Sequence, residues 1–180
     1  MIDTANKRIL VLGGARSGKS TYAQKLASGM GERVLFCATA EPLDDDMLHR
    51  IEEHKKSRPG GWETLEVSRD VGRALSNLTS GYDAVIIDCI TLLVSNCFHH
   101  DTESALAERI VCEEIRSLIE FMGHKESNYI LVSNEVGGGL VPDNVLGRLY
   151  RDLLGKANQL LANAADEVYL MVAGIPIKVK

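Results

Sequence analysis

The run Arg8-Ile-Leu-Val-Leu-Gly13-Gly-Ala-Arg-Ser-Gly18-Lys19-Ser20 constrains this chain more than any other stretch. Four apolar residues, Ile9 to Leu12, read as a buried parallel strand. Gly13-x-x-x-x-Gly18-Lys19-Ser20 follows, and Thr21 to Ala27 continue as a good helical sequence. Strand, glycine-rich turn and helix in that order are the setting of a P-loop. The glycines let backbone N–H groups close around phosphate oxygens, and the helix N-terminus adds partial positive charge. Gly13, Gly14, Ala15, Arg16, Ser17, Gly18, Lys19 and Ser20 are therefore expected to bind a nucleoside triphosphate. Lys19 would reach the β- and γ-phosphates, and the Ser20 hydroxyl would ligate Mg²⁺.

The remaining chain alternates apolar runs with helical patterns. Arg33 to Ala38, Ala84 to Asp88 and Tyr129 to Ser133 read as further buried strands, and Trp62 to Val67 as a short one. Helices are expected over Met47 to Lys56 (with Asp44 as N-cap and Leu43 and Leu48 as a staple), from Asp70 as cap through Leu78, and over Ile90 to Phe98, Glu103 to Met122 and Asn144 to Ala165. Glu167 to Val172 and Ile175 to Lys180 suggest a closing hairpin around Ala173-Gly174. The glycines after Asn134 suggest a mobile loop over a site. This alternation predicts an α/β fold with a mostly parallel sheet covered on both faces. With 180 residues, a single domain spanning 1–180 is the simplest division.

Composition excludes more than it assigns. A net charge of −5 argues against a broad nucleic-acid surface, and no apolar run approaches membrane-spanning length. The first residues carry no apolar targeting segment, so stable membrane insertion is not expected and a cytoplasmic location is. Cys37, Cys89, Cys97 and Cys112 lack paired metal spacing and read as reduced thiols.

Three further groups carry chemistry. Asp88 ends an apolar strand, as does the carboxylate that holds Mg²⁺ in P-loop enzymes. Arg50, His54 and Arg58 fall at successive i,i+4 positions and share a face if the helix persists that far. A histidine flanked by cations is disfavoured as imidazolium, and a neutral imidazole is a potential nucleophile. On spacing alone, however, a solvated basic helix end with an idle histidine is the simpler reading. Trp62, Thr64 and Glu66 share one strand face and either meet a ligand base or merely pack and solvate. His49, His99 and His100 read as surface residues.

At this point the chain resembles a known family. The P-loop Gly13-Gly-Ala-Arg-Ser-Gly-Lys-Ser20, Ala38-Thr-Ala, Arg50-Ile-x-x-His54-Lys-x-x-Arg58-Pro59, Trp62-x-x-x-Glu66, Ser133-Asn-Glu-Val-Gly137 with Val141-Pro142, and the tail from Ala165 all match one pattern in order. They resemble the bifunctional adenosylcobinamide kinase/adenosylcobinamide-phosphate guanylyltransferases of cobalamin biosynthesis. The resemblance implies a RecA-like P-loop fold, a homotrimer, Mg²⁺, and ATP and GTP as substrates. It implies that adenosylcobinamide is phosphorylated and that GMP then passes from GTP through a histidine to adenosylcobinamide-phosphate, giving adenosylcobinamide-GDP. It further implies that His54 is the guanylylated nucleophile and Lys19 a catalytic partner. Thr39, Ala40, Glu41, Lys55, Lys56, Ser57, Arg58, Glu66 and Asp88 match positions lining the nucleotide site, with Ser20 and Asp88 as metal ligands. Some relatives carry adjacent histidines where this chain has Glu53-His54, and some have Glu where Asp88 stands. A single-reaction small-molecule kinase with an idle His54, or a nucleotide-dependent regulatory module, are the competing readings. A signalling GTPase would need a guanine-reading Asn-Lys-x-Asp, which this chain lacks.

Overall fold

The computed structural model describes residues 6–41, 45–56, 58–78, 81–124 and 126–180, and of residues 45, 46, 47, 50 and 54 the backbone alone. Seven strands form one sheet: β1 (Arg8–Gly13), β2 (Val34–Ala38), β3 (Glu63–Glu66), β4 (Ala84–Asp88), β5 (Asn128–Asn134), β6 (Glu167–Val172) and β7 (Ile175–Lys178). Their order is β3-β2-β4-β5-β1-β6-β7. All neighbours run parallel except β6 and β7, which close the sheet as the antiparallel hairpin expected around Ala173-Gly174.

The expected α/β architecture follows from burial on both faces. Every residue of β2 is buried, as are the first four of β4 and the middle five of β5. Strands covered on both sides have no polar face, so they read as continuous apolar runs. Alternate residues then go to opposite layers. Leu10, Leu35, Cys37, Val85, Ile87, Tyr129 and Leu131 pack in one core, which takes in Val71, Leu93, Ile115 and Leu154 from the helices on that face. Ile9, Val11, Val34, Phe36, Ile86, Ile130 and Val132 form the other, against Ala23 and Ala27 of α1 (Lys19–Ser28). These alanines lie one helical turn apart, and their small side chains let α1 sit close to the sheet.

The other helices are α2 (Asp45–Lys56), α3 (Val71–Ser76), α4 (Ile90–Asn96), α5 (Ser104–Gly123) and α6 (Val145–Ala164). The proposed cap Asp44 and its staple partner Leu43 lie outside the described residues. Asn144 caps α6 by accepting from the Gly147 N–H at 2.6 Å.

Asp70 departs from its expected role. Its φ is 52°, and its side chain makes no cap bond to α3. The carboxylate of Glu114, from α5, accepts instead from the N–H groups of Asp70 and Val71, both at 2.9 Å. A residue 44 positions away thus satisfies this helix start. Glu114→Ala is expected to lower stability by about 1–2 kcal/mol, the usual value of a lost cap. Asp70→Gly should stay within about 0.5 kcal/mol, since glycine adopts the left-handed conformation without strain. Urea unfolding of the two variants checks this, and equal losses would return the capping role to Asp70.

Candidate active site

The turn from β1 into α1 is built for close backbone approach. A Cβ at Gly13 would come within 2.6 Å of Ser17 Oγ and 2.7 Å of the Met171 carbonyl, so the strand end has room only for glycine. Gly18 has φ 91°, in the left-handed region, and passes against Gly174. Gly14, Ala15 and Arg16 are exposed, and their loop is open to a ligand. Two supports for this loop were not legible in the sequence. The Gly174 N–H at the hairpin turn donates to the Ser17 carbonyl at 3.0 Å, and the Glu135 N–H donates to the Gly13 carbonyl at 3.0 Å.

Lys19, the first residue of α1, is only 8% exposed. Its ammonium donates to the Gly14 carbonyl at 2.5 Å and lies 3.5 Å from Ser17 Oγ. Burial lowers the Lys19 pKa, and the nearby Asp88 carboxylate acts to raise it. An ammonium so placed gains from an arriving phosphate, which is a better partner than one carbonyl. Ser20 is half-buried one residue further along the same helix.

Asp88 ends β4, and the peptide after it is braced by Thr39. The fully buried Thr39 hydroxyl donates to the Cys89 carbonyl at 2.7 Å and accepts from the Cys89 N–H at 2.8 Å. Asn96 in turn donates to the Thr39 carbonyl at 2.9 Å. The Thr39 hydroxyl is therefore engaged in holding the Asp88 strand end, while Ala40 and Glu41 continue half-buried along the rim. Burial pushes the Cys89 and Cys37 thiols up to about 12, so both stay protonated near neutrality. As expected, all four cysteines are free.

The basic block divides in a way the spacing did not predict. Helix α2 stops at Lys56, so Arg58 does not continue the face of Arg50 and His54. It turns onto the sheet, where its guanidinium carbon lies 3.7 Å from the Phe36 ring centroid, and it donates to Thr64 Oγ1 at 3.2 Å. Its Nε is buried and makes no hydrogen bond among the described residues. Burial lowers the Arg58 pKa, and Asp88 and then Glu66 offset this. Arg58 therefore feels both the β4 tip and the β3 edge. Lys55 pairs with Glu66 at 2.5 Å. Lys55, Arg58, Trp62, Thr64 and Glu66 line an open cleft of about 650 Å³, together with the Pro59–Gly61 turn. Lys56 is exposed, Ser57 lies outside the described residues, and His54 is placed by its backbone on the last turn of α2. His49, His99 and His100 are exposed, as expected.

A buried polar network beneath the rim was also missed. Ser133 Oγ donates to Asn158 Oδ1 at 2.7 Å, Asn158 Nδ2 donates to the Asn134 carbonyl at 3.0 Å, and the Asn134 N–H donates to Thr91 Oγ1 at 2.8 Å. These bonds fix the exit of β5 from below. The signal was a lone Asn158 among Leu153, Leu154, Ala157 and Leu161 on the buried side of α6.

The sequence comparisons agree with this geometry. Residues 9–179 match the family model described as cobinamide kinase / cobinamide phosphate guanyltransferase. The bifunctional adenosylcobalamin biosynthesis protein CobU of Salmonella typhimurium strain LT2 is 43% identical over 180 residues, covering 96% of this chain and 99% of the relative. The protein of the same description, CobP, from Pseudomonas aeruginosa is 38% identical over 173 residues, covering 96% and 97%. Among solved structures, a prototypical ATPase from the type III secretion system of pathogenic bacteria superposes with a TM-score of 0.56 at 11% identity, covering 92% of this chain and 51% of that one. At that identity the likeness speaks for the fold alone, and the fold is the expected RecA-like P-loop architecture. The chain belongs to the cobinamide kinase / cobinamide phosphate guanyltransferase family.

Proposed function

We propose that one nucleotide site serves both reactions of the family, with His54 carrying GMP between them. In the first reaction the γ-phosphate of ATP or GTP passes to the hydroxyl of adenosylcobinamide. In the second, an unprotonated His54 nitrogen attacks the α-phosphate of GTP, releasing pyrophosphate. Adenosylcobinamide-phosphate then attacks the same phosphorus, forming adenosylcobinamide-GDP and freeing the histidine. The observation that carries this reading is Arg58, whose guanidinium stacks on Phe36 of β2 and donates to Thr64 Oγ1 of β3. It joins the phosphate rim to the cleft at the end of the helix that bears His54. Backbone N–H groups of Gly13 to Ser20 and the Lys19 ammonium would hold the triphosphate. Thr39, Ala40 and Glu41 would form the adjoining rim, and Lys55, Lys56, Ser57, Arg58 and Glu66 would hold the nucleoside end. Covalent capture of label from α-labelled but not γ-labelled GTP tests this reading, and label from neither would leave a simple kinase.

Ser20 and Asp88 offer a hydroxyl and a carboxylate, hard oxygen donors that suit Mg²⁺ sharing its remaining positions with phosphate and water. Asp88 ends β4, two strands from the P-loop strand β1, and a carboxylate there could share the phosphates with Lys19, which fits such a role. When bound, the ion would neutralise charge on the phosphates. Asp88→Asn keeps the side-chain shape and removes its charge. It is expected to raise the Mg²⁺ concentration needed for GTP-induced thermal stabilisation by about tenfold or more, with little change in ligand-free melting. An unmoved Mg²⁺ dependence would make Asp88 purely structural.

A single domain carrying both activities, a homotrimer and a cytoplasmic location complete the proposal. Ile175 and Ile177 on the edge strand β7 are exposed, and subunit contact would cover them. No helix among the described residues is long and apolar enough to cross a membrane.

A further inference from the structure

The phosphorylation step needs a group to take the proton of the attacking hydroxyl, and the strand order narrows the choice. Among the described residues, carboxylates at the carboxyl rim of the parallel strands are Glu41 after β2, Glu66 on β3, Asp88 on β4 and Glu135 after β5. Adjacent strands lie about 4.8 Å apart. In the order β3-β2-β4-β5-β1, the β3 and β2 tips are thus roughly 19 and 14 Å from the P-loop strand, and the β5 tip is only about 5 Å away. Glu66 is also paired with Lys55. Asp88 ends β4, two strands from the P-loop strand, and fits the metal role. Because β5 lies between β4, which ends in Asp88, and β1, which runs into the P-loop, a γ-phosphate shared by Asp88 and Lys19 comes over the tip of β5.

Glu135 stands at that tip. Its N–H is tied to the Gly13 carbonyl, the first P-loop residue. Thr91 and Asn158 clamp the preceding residue from the other side. Its carboxylate is exposed, with one oxygen accepting from the Gly137 N–H at 2.7 Å, and it forms no ion pair among the described residues. A Cβ at residue 137 would lie 2.9 Å from that oxygen, so the glycine allows the contact. The loop continues through Leu140 (96% exposed) and Val141 (65%), an apolar surface beside the carboxylate on which a bulky, partly apolar substrate can rest.

We propose that Glu135 is the general base of the phosphorylation step. The second carboxylate oxygen accepts the proton of the substrate hydroxyl as the new oxygen–Pγ bond forms. The bond from Pγ to the bridging oxygen breaks, its electron pair leaves with the nucleoside diphosphate, and the proton passes from Glu135 to solvent. This rests on the kinase half of the function proposed above. It assigns Glu135 no part in histidine guanylylation, where the nucleophile is an imidazole with no proton to lose from the attacking nitrogen.

Glu135→Gln retains the oxygen that accepts from Gly137 and removes the base. Phosphoryl transfer from γ-labelled GTP to adenosylcobinamide is expected to lose about 10²-fold or more in kcat, the usual contribution of a general base, with KM for GTP changed less than about threefold. Glu135→Asp should recover part of the rate. The same Glu135→Gln preparation should still become covalently labelled by α-labelled GTP. Kinase kcat within about fivefold of wild type would overturn the assignment. So would an equal loss of kinase rate and covalent labelling, which would mean that Glu135 only shapes the loop. A wild-type protein that transfers no γ-phosphate would overturn the kinase reading itself.

Discussion

Lys19→Ala is expected to lower both phosphoryl and guanylyl transfer by at least about 10²-fold, because both reactions use the same triphosphate cradle. The ammonium is the side-chain cation that the loop aims at the phosphates, and a hydrogen bond to a charged group is worth about 1.5–3 kcal/mol. At about 1.4 kcal/mol per factor of ten, GTP affinity alone should fall roughly 10- to 150-fold. The fold should not suffer. Burial lowers the Lys19 pKa in the folded protein, so below that folded pKa the charged amine disfavours folding relative to the open chain. Its removal should therefore leave ligand-free melting unchanged or slightly raised. Wild type in GTP at a hundred times its Kd gains about 2.7 kcal/mol of stability, and at the same concentration the variant should gain only about 0.3–1.4 kcal/mol. Thermal melting with and without GTP, beside both activity assays, separates the two effects. Intact activities would remove the P-loop from the reaction centre.

The parts of this enzyme that could be read from sequence are those written in consecutive residues. The P-loop is one such signal, because strand, glycines and helix must be contiguous for backbone amides to converge on a phosphate. The parallel strands are another, since burial on both faces leaves unbroken apolar runs such as Val34–Ala38. Contacts between distant residues left no comparable trace. Gly174 supports the P-loop from a hairpin more than 150 positions away, and nothing near residue 174 announces it. Thr39 matched a nucleotide-site position, yet its hydroxyl is occupied by the peptide after Asp88. Asp70 looked like a cap by residue type, but its left-handed backbone gives the role to Glu114. The i,i+4 spacing joined Arg58 to His54, whereas the helix ends two residues before Arg58, which stacks on Phe36. In each case local pattern gave the chemical type of a residue, and tertiary packing chose its partner.

His54→Ala is expected to abolish covalent GMP and all guanylyl transfer while GTP still protects the folded variant against melting. The backbone puts residue 54 on the last turn of α2, next to Lys55, which lines the cleft. Attack on the α-phosphate needs an unprotonated ring nitrogen. Labelling of wild type should therefore fall as pH drops through the histidine range, near about 6.5 for an unperturbed imidazole. The product bond is phosphorus to nitrogen, and its nitrogen becomes a good leaving group once protonated. The adduct should accordingly be lost in mild acid and survive alkali, the reverse of a phosphate ester on Ser or Thr, which alkali cleaves more readily. Because Gly13 to Ser20 would still hold the triphosphate, the stabilisation given by GTP should stay within about 0.5 kcal/mol of the wild-type value, short of the roughly 1.3–2.4 kcal/mol lost in Lys19→Ala. The two variants thus fail differently, one for want of phosphate binding and the other for want of a nucleophile. Acid-labile GMP on a folded His54→Ala protein would refute the assignment and direct the search to His49, His99, His100 and His124.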